Sequence, residues 1–234
     1  MRRAAALAVV LLTGAASAAE RYAQAPATLP AQASTQLSRS LEGAAKYPSH
    51  IWRDTPPLND DGTLNGYIEI SRGDRRKWEF NMGTNRLALD RMIPVDVGGY
   101  PVNYGFVPQT VSYDGDPFDV LVLGPAIEGG RLVRGMIVGL MHMQDEKGLD
   151  SKVVMSPAGK DGQPRYPLTA ADQQRIGGYF DRYKARETGK FSNVPGWSGV
   201  PEALSYVATT HAFFTTCRGH EEYSCTLATA PSTR

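Results

Sequence analysis

Apolar and polar residues alternate in two short runs of the chain's first half, and this period of two is typical of half-buried β-strands. The runs lie at residues 67–70 and 77–80, on either side of a turn-forming segment at 71–74. More continuous apolar stretches at 119–123, 132–143 and 152–156 are further candidate strands. The pattern therefore predicts mainly β structure over the first two thirds of the chain.

Helical spacing appears only late in the chain. Over residues 170–187, the apolar residues Ile176, Phe180 and Tyr183 fall on one side of a helix. Pro201 is a favoured first-turn residue, and a second helix is predicted from there to about residue 214. Many short strands followed by two helices indicate an α+β fold, mainly β, with helices packed outside a barrel.

The N-terminus has the pattern of a secretory signal peptide. Arg2 and Arg3 precede nine apolar residues at 4–12, and small residues end in an A-x-A-like site at 16–18. A buried first helix is the alternative. No apolar run reaches the 18 or more residues of a membrane span. We therefore expect cleavage near Ala18, a periplasmic or secreted protein, and no membrane segment in the mature form.

Composition divides the remaining chain into three parts. Residues 19–50 are rich in small and polar residues and are expected to form a flexible segment, because they offer little large apolar surface to bury. Residues 51–214 carry aromatic and branched residues throughout and are expected to form one domain. Residues 215–234 form a tail in which Cys217 and Cys225 could pair as a disulfide in an oxidising compartment.

The balance of acidic and basic residues limits the kinds of partner that the chain is expected to bind. The chain has 25 Lys and Arg residues against 24 Asp and Glu residues, a formal net charge of +1. That balance excludes a disordered polyampholyte and a purely electrostatic nucleic-acid arm. No nucleic-acid partner is expected.

The strongest chemical motif is the segment Asp-Gly-Asp-Pro-Phe-Asp at 114–119, which runs directly into a candidate strand. Its carboxylates, on Asp114, Asp116 and Asp119, repel one another by several kcal/mol if they share a poorly solvated pocket. Protons, basic partners or hard divalent cations such as Mg²⁺ would offset that repulsion. The segment lacks the spacing of a Ca²⁺-binding EF-hand, and taken alone it is equally compatible with a solvated turn.

A second acidic cluster favours a shared site over a solvated turn. Asp145 and Glu146 follow the long apolar run, and Asp150 and Lys152 share one face of the next candidate strand because side chains alternate along it. Each cluster lies at the edge of a strand that is expected to be buried. We therefore expect the two clusters to meet.

Basic and phenolic residues complete the set of candidate site residues. The early strands carry polar side chains on one face, and further basic and tyrosine residues follow along the chain. They are Glu69, Lys77, Glu79, Arg91, Tyr100, Tyr104, Tyr183 and Lys184. Acids that hold a metal, together with basic and phenolic groups that hold oxyanions, are typical of metal-assisted phosphoryl transfer.

These blocks occur in the order found in family I soluble inorganic pyrophosphatases, which the chain resembles from about residue 51 to residue 214. The Asp-Gly-Asp-Pro-x-Asp-Val block at 114–120 is that family's signature. The resemblance implies a distorted five-stranded OB-like barrel with flanking C-terminal helices. It also implies Mg²⁺-dependent hydrolysis of pyrophosphate to two phosphates, several Mg²⁺ ions per active site and a homo-oligomer.

By the same resemblance, each matched position takes a role. Asp116 takes a proton from the attacking water, and Asp119 is both a catalytic residue and a metal bridge. The expected metal ligands are Asp114, Asp119, Asp150, Asp145 and Glu69. The expected phosphate contacts are Lys77, Arg91, Tyr104, Lys152, Tyr183 and Lys184, with Tyr104 also counted as catalytic. Supporting positions are Glu79, Tyr100 and Glu146.

Two other functions stay open. One is an exported hydrolase of polyphosphate or small phosphate esters. The other is a non-catalytic protein that binds metal or phosphate. The signal peptide also departs from the family's usual cytoplasmic location and suggests phosphate scavenging outside the cytoplasm.

Overall fold

The computed structural model describes residues 28–216 and 225–226. The expected signal peptide and Cys217 lie outside these residues. The strands are β1 Thr28–Leu29, β2 Leu64–Ile70, β3 Arg76–Asn81, β4 Arg86–Met92, β5 Asn103–Phe106, β6 Asp119–Val122, β7 Leu132–Asp145, β8 Gly148–Leu149, β9 Lys152–Pro157, β10 Ser192–Ser198 and β11 Cys225–Thr226. The helices are α1 Ala31–Ala45, α2 Ile51–Asp54, α3 Ala170–Phe180 and α4 Val200–Thr216.

Five strands close into a ring in the order β7-β2-β5-β6-β9, because β9 pairs with β7 as well as with β6. The β6–β9 pair is parallel and the other ring pairs are antiparallel. The 14-residue strand β7 is long enough to pair also with β10 and β8 outside the ring. The expected α+β, mainly β fold with a distorted five-stranded barrel is confirmed.

The strands β3 and β4 form a separate antiparallel hairpin beside the ring. Phe80 of β3 is buried against Phe106 of β5, with ring centroids 5.6 Å apart. Because side chains alternate along a strand, Lys77 and Glu79 lie on the face opposite Phe80. The hairpin therefore presents charged residues beside the end of the ring.

The two late helices cover the ring. Helix α4 buries Ala203, Tyr206 and Val207 in one apolar cluster, and α3 buries Ile176 and Phe180 in another. Helix α3 begins at a capping box in which Thr169 and Asp172 exchange hydrogen bonds. Among the described helices, none combines the length and the apolar character needed to cross a membrane.

Helix α3 ends at Phe180, short of the predicted residue 187. The chain continues through tight turns, with amide-to-carbonyl bonds from Ala185 to Arg182 and from Glu187 to Lys184. Tertiary contacts compete with the helix here, since the Ser192 hydroxyl donates to the Phe180 carbonyl and the Val194 amide donates to the Asp181 carboxylate. The apolar periodicity continues past the point where these bonds stop the helix.

The expectation of a flexible segment at 19–50 was wrong for the 15 residues of α1. Alanine is the best helix former, and small side chains allow a helix to approach its neighbours closely. Ala33, Leu37 and Ala44 are almost fully buried in the same cluster as Phe80. A search for large apolar residues overlooks a helix that packs through alanine and glycine.

Below neutral pH, His50 is expected to destabilise the fold. Its Nδ1 accepts the Arg53 amide at the start of α2, its Nε2 donates to the Met82 carbonyl, and burial lowers its pKa below the ordinary 6.5. The unfolded chain therefore takes up the proton first, so stability is full above about pH 6.5 and falls as pH drops toward the lower folded-state value. Urea unfolding of the wild type and of His50→Asn, which keeps a capping acceptor without a titratable group, measures this effect. The stability advantage of the wild type should shrink between about pH 7.5 and about pH 5.5, and equal pH slopes for the two proteins would contradict it.

Candidate active site

A cavity of about 640 Å³ opens where the hairpin, the ring strands and the segment after α3 meet. Nine acidic and six basic side chains line it. The acidic ones are Glu69, Glu79, Asp90, Asp114, Asp116, Asp119, Asp145, Glu146 and Asp150. The basic ones are Arg39, Lys77, Arg91, Lys147, Lys184 and Lys190. The sequence motifs therefore converge on one place, and that place has more acid than base.

The acidic loop before β6 is held by its own backbone. The Ser112 amide donates to the Asp116 carbonyl at 2.7 Å, and the Gly115 amide donates to the Ser112 carbonyl at 3.0 Å. Gly115 has a φ of +92°, which an L side chain rarely adopts. The bend brings Asp114 and Asp116 to the cavity wall, while Asp119 begins β6 at its floor.

Lys152 lies beneath this floor, between two carboxylates. Its Nζ is 2.5 Å from Asp119 and 2.8 Å from Asp150, and its side chain is 1% exposed. Burial alone would lower the pKa of Lys152, but the two carboxylates outweigh it and hold the pKa well above its usual value. Lys152 was expected to contact phosphate. Its ammonium holds Asp119 and Asp150 together, because the parallel pairing of β6 with β9 sets the two strands side by side. The phosphate contact of Lys152 stays a prediction.

Two further lysines lie between acids in the same way. Lys184 Nζ is 2.6 Å from Asp145 and 3.1 Å from Glu146. Lys147, for which no role was predicted, is 3.4 Å from Asp114 and 3.9 Å from Asp116. The acidic clusters are therefore joined by ammonium groups across the cavity.

Glu69 is buried, although it belongs to the polar face of the early strands. The register of β2 against β5 shifts between Ile68 and Ile70, so Glu69 lies in a bulge. Its Oε1 accepts the Phe80 amide at 2.7 Å, which ties the hairpin to the ring. Burial raises the pKa of Glu69 to about 8, against the lowering effect of that hydrogen bond.

The opposite wall is a network of charged residues. Asp90 binds Lys77 at 3.1 Å and Arg91 at 2.6 Å. Arg91 also binds Glu187 at 2.7 Å, and Lys190 binds Glu187 at 2.6 Å. Asp90, Glu187 and Lys190 were not predicted as site residues, although Asp90 directly precedes Arg91 in the sequence.

Three phenols complete the cavity wall: Tyr100, Tyr104 and Tyr183. Burial raises the pKa of each of them, and nearby carboxylates add to the effect. They therefore stay protonated at neutral pH and can donate hydrogen bonds to an anion. The Tyr104 ring also lies 5.6 Å from Lys152 Nζ, a cation–π contact that supports the floor.

Two further acids of the cavity have raised pKa values. Burial raises the pKa of Asp150 to about 8, with Asp119 adding to the effect and Lys152 opposing it. Desolvation and then repulsion from Asp114 raise the pKa of Asp116 to about 7, although 54% of its side chain is exposed. Among the described residues no three candidate ligands are already arranged around a metal position. The donor set is nonetheless made of hard carboxylate oxygens in excess, which fits Mg²⁺.

Of the fifteen predicted site residues, all but Lys152 line this one cavity. Gln36, Arg39 and Ser40 of α1 also line it and were missed, because the segment that carries them was expected to be flexible. Lys147 could have been found from its position between Glu146 and Gly148 inside the second acidic cluster.

Comparison with known proteins identifies the family to which these site residues belong. The family model for inorganic pyrophosphatase matches residues 66–215. The chain is 34% identical over 164 residues to an inorganic pyrophosphatase of Aquifex pyrophilus, covering 67% of this chain and 92% of that protein. It is 39% identical over 157 residues to one of Ralstonia nicotianae, covering 64% of this chain and 89% of that protein.

Solved structures give the same result. The crystal structure of inorganic pyrophosphatase from Thermus thermophilus aligns with a TM-score of 0.65 and 33% identity, over 71% of this chain and 99% of that one. An inorganic pyrophosphatase structure from Coxiella burnetii aligns with a TM-score of 0.63 and 34% identity, over 68% of this chain and 99% of that one. Sequence motifs, ring topology and these matches agree, and the chain belongs to the inorganic pyrophosphatase family.

Proposed function

We infer that this chain is an inorganic diphosphatase, which hydrolyses inorganic pyrophosphate to two phosphate ions. One observation carries the inference: in a chain of this family, basic and phenolic donors converge with a surplus of carboxylates on a single cavity. The donors suit phosphate oxygens, and the carboxylates suit the cations that a polyanionic substrate brings with it.

Mg²⁺ is the proposed cofactor. A cavity with more acidic than basic side chains repels pyrophosphate unless cations enter as well. The residues proposed to hold the cations are Asp114, Asp119, Asp150, Asp145 and Glu69. When bound, such cations neutralise substrate charge and lower the pKa of a coordinated water from 15.7 toward roughly 7.

The proposed proton acceptor is Asp116. The oxygen of one water molecule bonds to a phosphorus as the bond from that phosphorus to the bridging oxygen breaks, and the water's proton passes to an Asp116 carboxylate oxygen. A pKa of about 7 suits this role, since the group is then partly ionised at neutral pH and still basic. Its exposed side chain can face a water molecule in the cavity.

The other polar residues position the substrate. The guanidinium of Arg91 offers a planar pair of donors to a phosphate group, and Lys77 and Lys184 add point charges. Tyr104 and Tyr183 donate hydroxyl hydrogens from a buried wall. Glu79, Tyr100 and Glu146 are proposed to support these donors, and Glu146 does so through its contact with Lys184.

Hydrolysis of pyrophosphate is tested directly by phosphate release from the purified chain. With added Mg²⁺ we expect turnover of pyrophosphate that stops when a chelator is added and returns with excess Mg²⁺. Parallel assays with tripolyphosphate and with small phosphate esters test the second candidate function. Faster release from either of those substrates would favour the alternative, and binding without release would favour a non-catalytic protein.

The role of Asp119 is tested with Asp119→Asn. Because Asp119 is proposed to hold cations and also pairs with Lys152, its loss should reduce kcat by more than the roughly 10²–10⁴-fold attributed to a general base alone. Asp60→Asn makes the same chemical change at an exposed position outside the cavity and is the matched control. Near-wild-type turnover of a folded Asp119→Asn protein would contradict the assigned role.

Export and assembly are proposed from the sequence. The charged and apolar N-terminus supports cleavage after Ala18 and a periplasmic or secreted protein that recovers phosphate. A homo-oligomer is proposed from the family resemblance.

Export is tested by expressing the full chain in a Gram-negative host and sequencing the N-terminus of the periplasmic product. That sequence should begin at Ala19, whereas a chain lacking residues 2–18 should stay in the cytoplasm. Recovery of the uncleaved chain in the cytoplasm would contradict export.

A further inference from the structure

Helix α1 forms part of the cavity wall although it precedes the residues matched by the family model, which begin at residue 66. Three of its residues line the cavity: Gln36, Arg39 and Ser40. Gln36, Ser40 and Gly43 follow one another at spacings of four and three residues, so they share one face of the helix. That face is turned toward the active site.

Two close approaches hold α1 in this position. At Gly115 in the acidic loop, a Cβ atom would lie 2.6 Å from the Gln36 Cβ and 2.9 Å from the Ala33 Cα. At Gly43, a Cβ atom would lie 3.0 Å from the Gly83 Cα in the β3–β4 turn. The Tyr47 hydroxyl, just after the helix, also donates to the Gly83 carbonyl at 3.0 Å. The helix therefore spans from the acidic loop to the hairpin, across one side of the cavity.

Arg39 differs from the other basic residues in the cavity. Lys77, Arg91, Lys147, Lys184 and Lys190 each have a carboxylate within 4.0 Å. Within the described part of the chain, the guanidinium of Arg39 has no ion pair and no hydrogen bond, and the residue is exposed. A cation left unpaired in a cavity rich in carboxylates is available to an incoming anion.

We propose that Arg39 is a further substrate-binding residue, which binds a phosphate group of pyrophosphate at the side of the cavity formed by α1. The proposal rests on the proposed function. The five paired basic residues already share their charge with carboxylates, whereas Arg39 gives up only water. Its planar guanidinium can hold two phosphate oxygens at once. Helix α1 would thus add a phosphate-binding residue that lies outside the region matched by the pyrophosphatase family model.

The test compares Arg39→Gln and Arg39→Lys with Lys46→Gln. Lys46 is the C-cap of the same helix, is exposed and does not line the cavity. Its replacement by Gln changes the net charge as Arg39→Gln does, but away from the site. Steady-state kinetics give KM and kcat for pyrophosphate. Calorimetry gives the Kd of imidodiphosphate, an analogue with a nitrogen bridge, in the presence of Mg²⁺.

For Arg39→Gln, KM and the analogue Kd should both rise about tenfold, the size of one charge-assisted hydrogen bond. The kcat should change by less than about twofold, because the lost contact serves the bound substrate and the transition state alike. Arg39→Lys should recover part of the affinity, since it keeps the charge without the planar pair of donors. Lys46→Gln should match the wild type.

The inference and the proposed function can fail separately. If the wild type hydrolyses pyrophosphate and Arg39→Gln matches Lys46→Gln in KM and Kd, the role of Arg39 is wrong and the function stands. A loss of kcat with unchanged KM and Kd would also overturn the proposed role of Arg39, because that result indicates a structural effect on the acidic loop. If the wild type does not hydrolyse pyrophosphate, the analogue affinities still decide the role of Arg39, and a wild type that binds no analogue refutes it.

Discussion

The site depends on ammonium groups that lie between carboxylates which would otherwise repel one another. Lys152 is the clearest case, since it contacts both Asp119 and Asp150 and is almost fully buried. Removing its charge would leave two acids facing each other in a poorly solvated floor, a costly arrangement. The barrel brings these strands together, and the lysine makes their proximity tolerable.

The same balance connects the fold to the chemistry. The ring closes through β6, β9 and β7. Asp119 begins β6, Asp145 ends β7, and Asp150 comes just before β9. Even with its lysines the cavity has more acidic than basic residues. Burial, and after it repulsion from neighbouring carboxylates, raises the pKa of Asp116 and of Asp150. This surplus of acid supports the proposed binding of cations, which would let a pyrophosphate ion approach the carboxylates.

Much of the fold and the site could be predicted from the sequence, because alternation of apolar and polar residues marks strands and the acids of the cavity cluster in the chain. Two features could not. Helix α1 packs through Ala33, Ala44 and Gly43, and small residues do not produce the large apolar stripe by which a packed helix is recognised. The burial of Lys152 depends on pairing between strands more than thirty residues apart in the sequence. Alternation along one strand predicts which side chains share a face of the sheet, but it does not predict which other residues pack over that face.

The basic residues of the cavity lie at different depths, and most of them are paired with carboxylates. Lys152 and Lys184, the most buried, are compact point charges that fit between two carboxylates. Arg91, Lys190 and Lys147 lie further out, with 29%, 42% and 57% of their side chains exposed, and Arg39 is at the exposed edge. A guanidinium offers a planar fork that matches carboxylate and phosphate groups alike, and that of Arg91 already binds Asp90 and Glu187. Lysines at the floor therefore hold its acids together, whereas the more exposed basic groups, Arg39 above all, are accessible to the proposed anionic substrate.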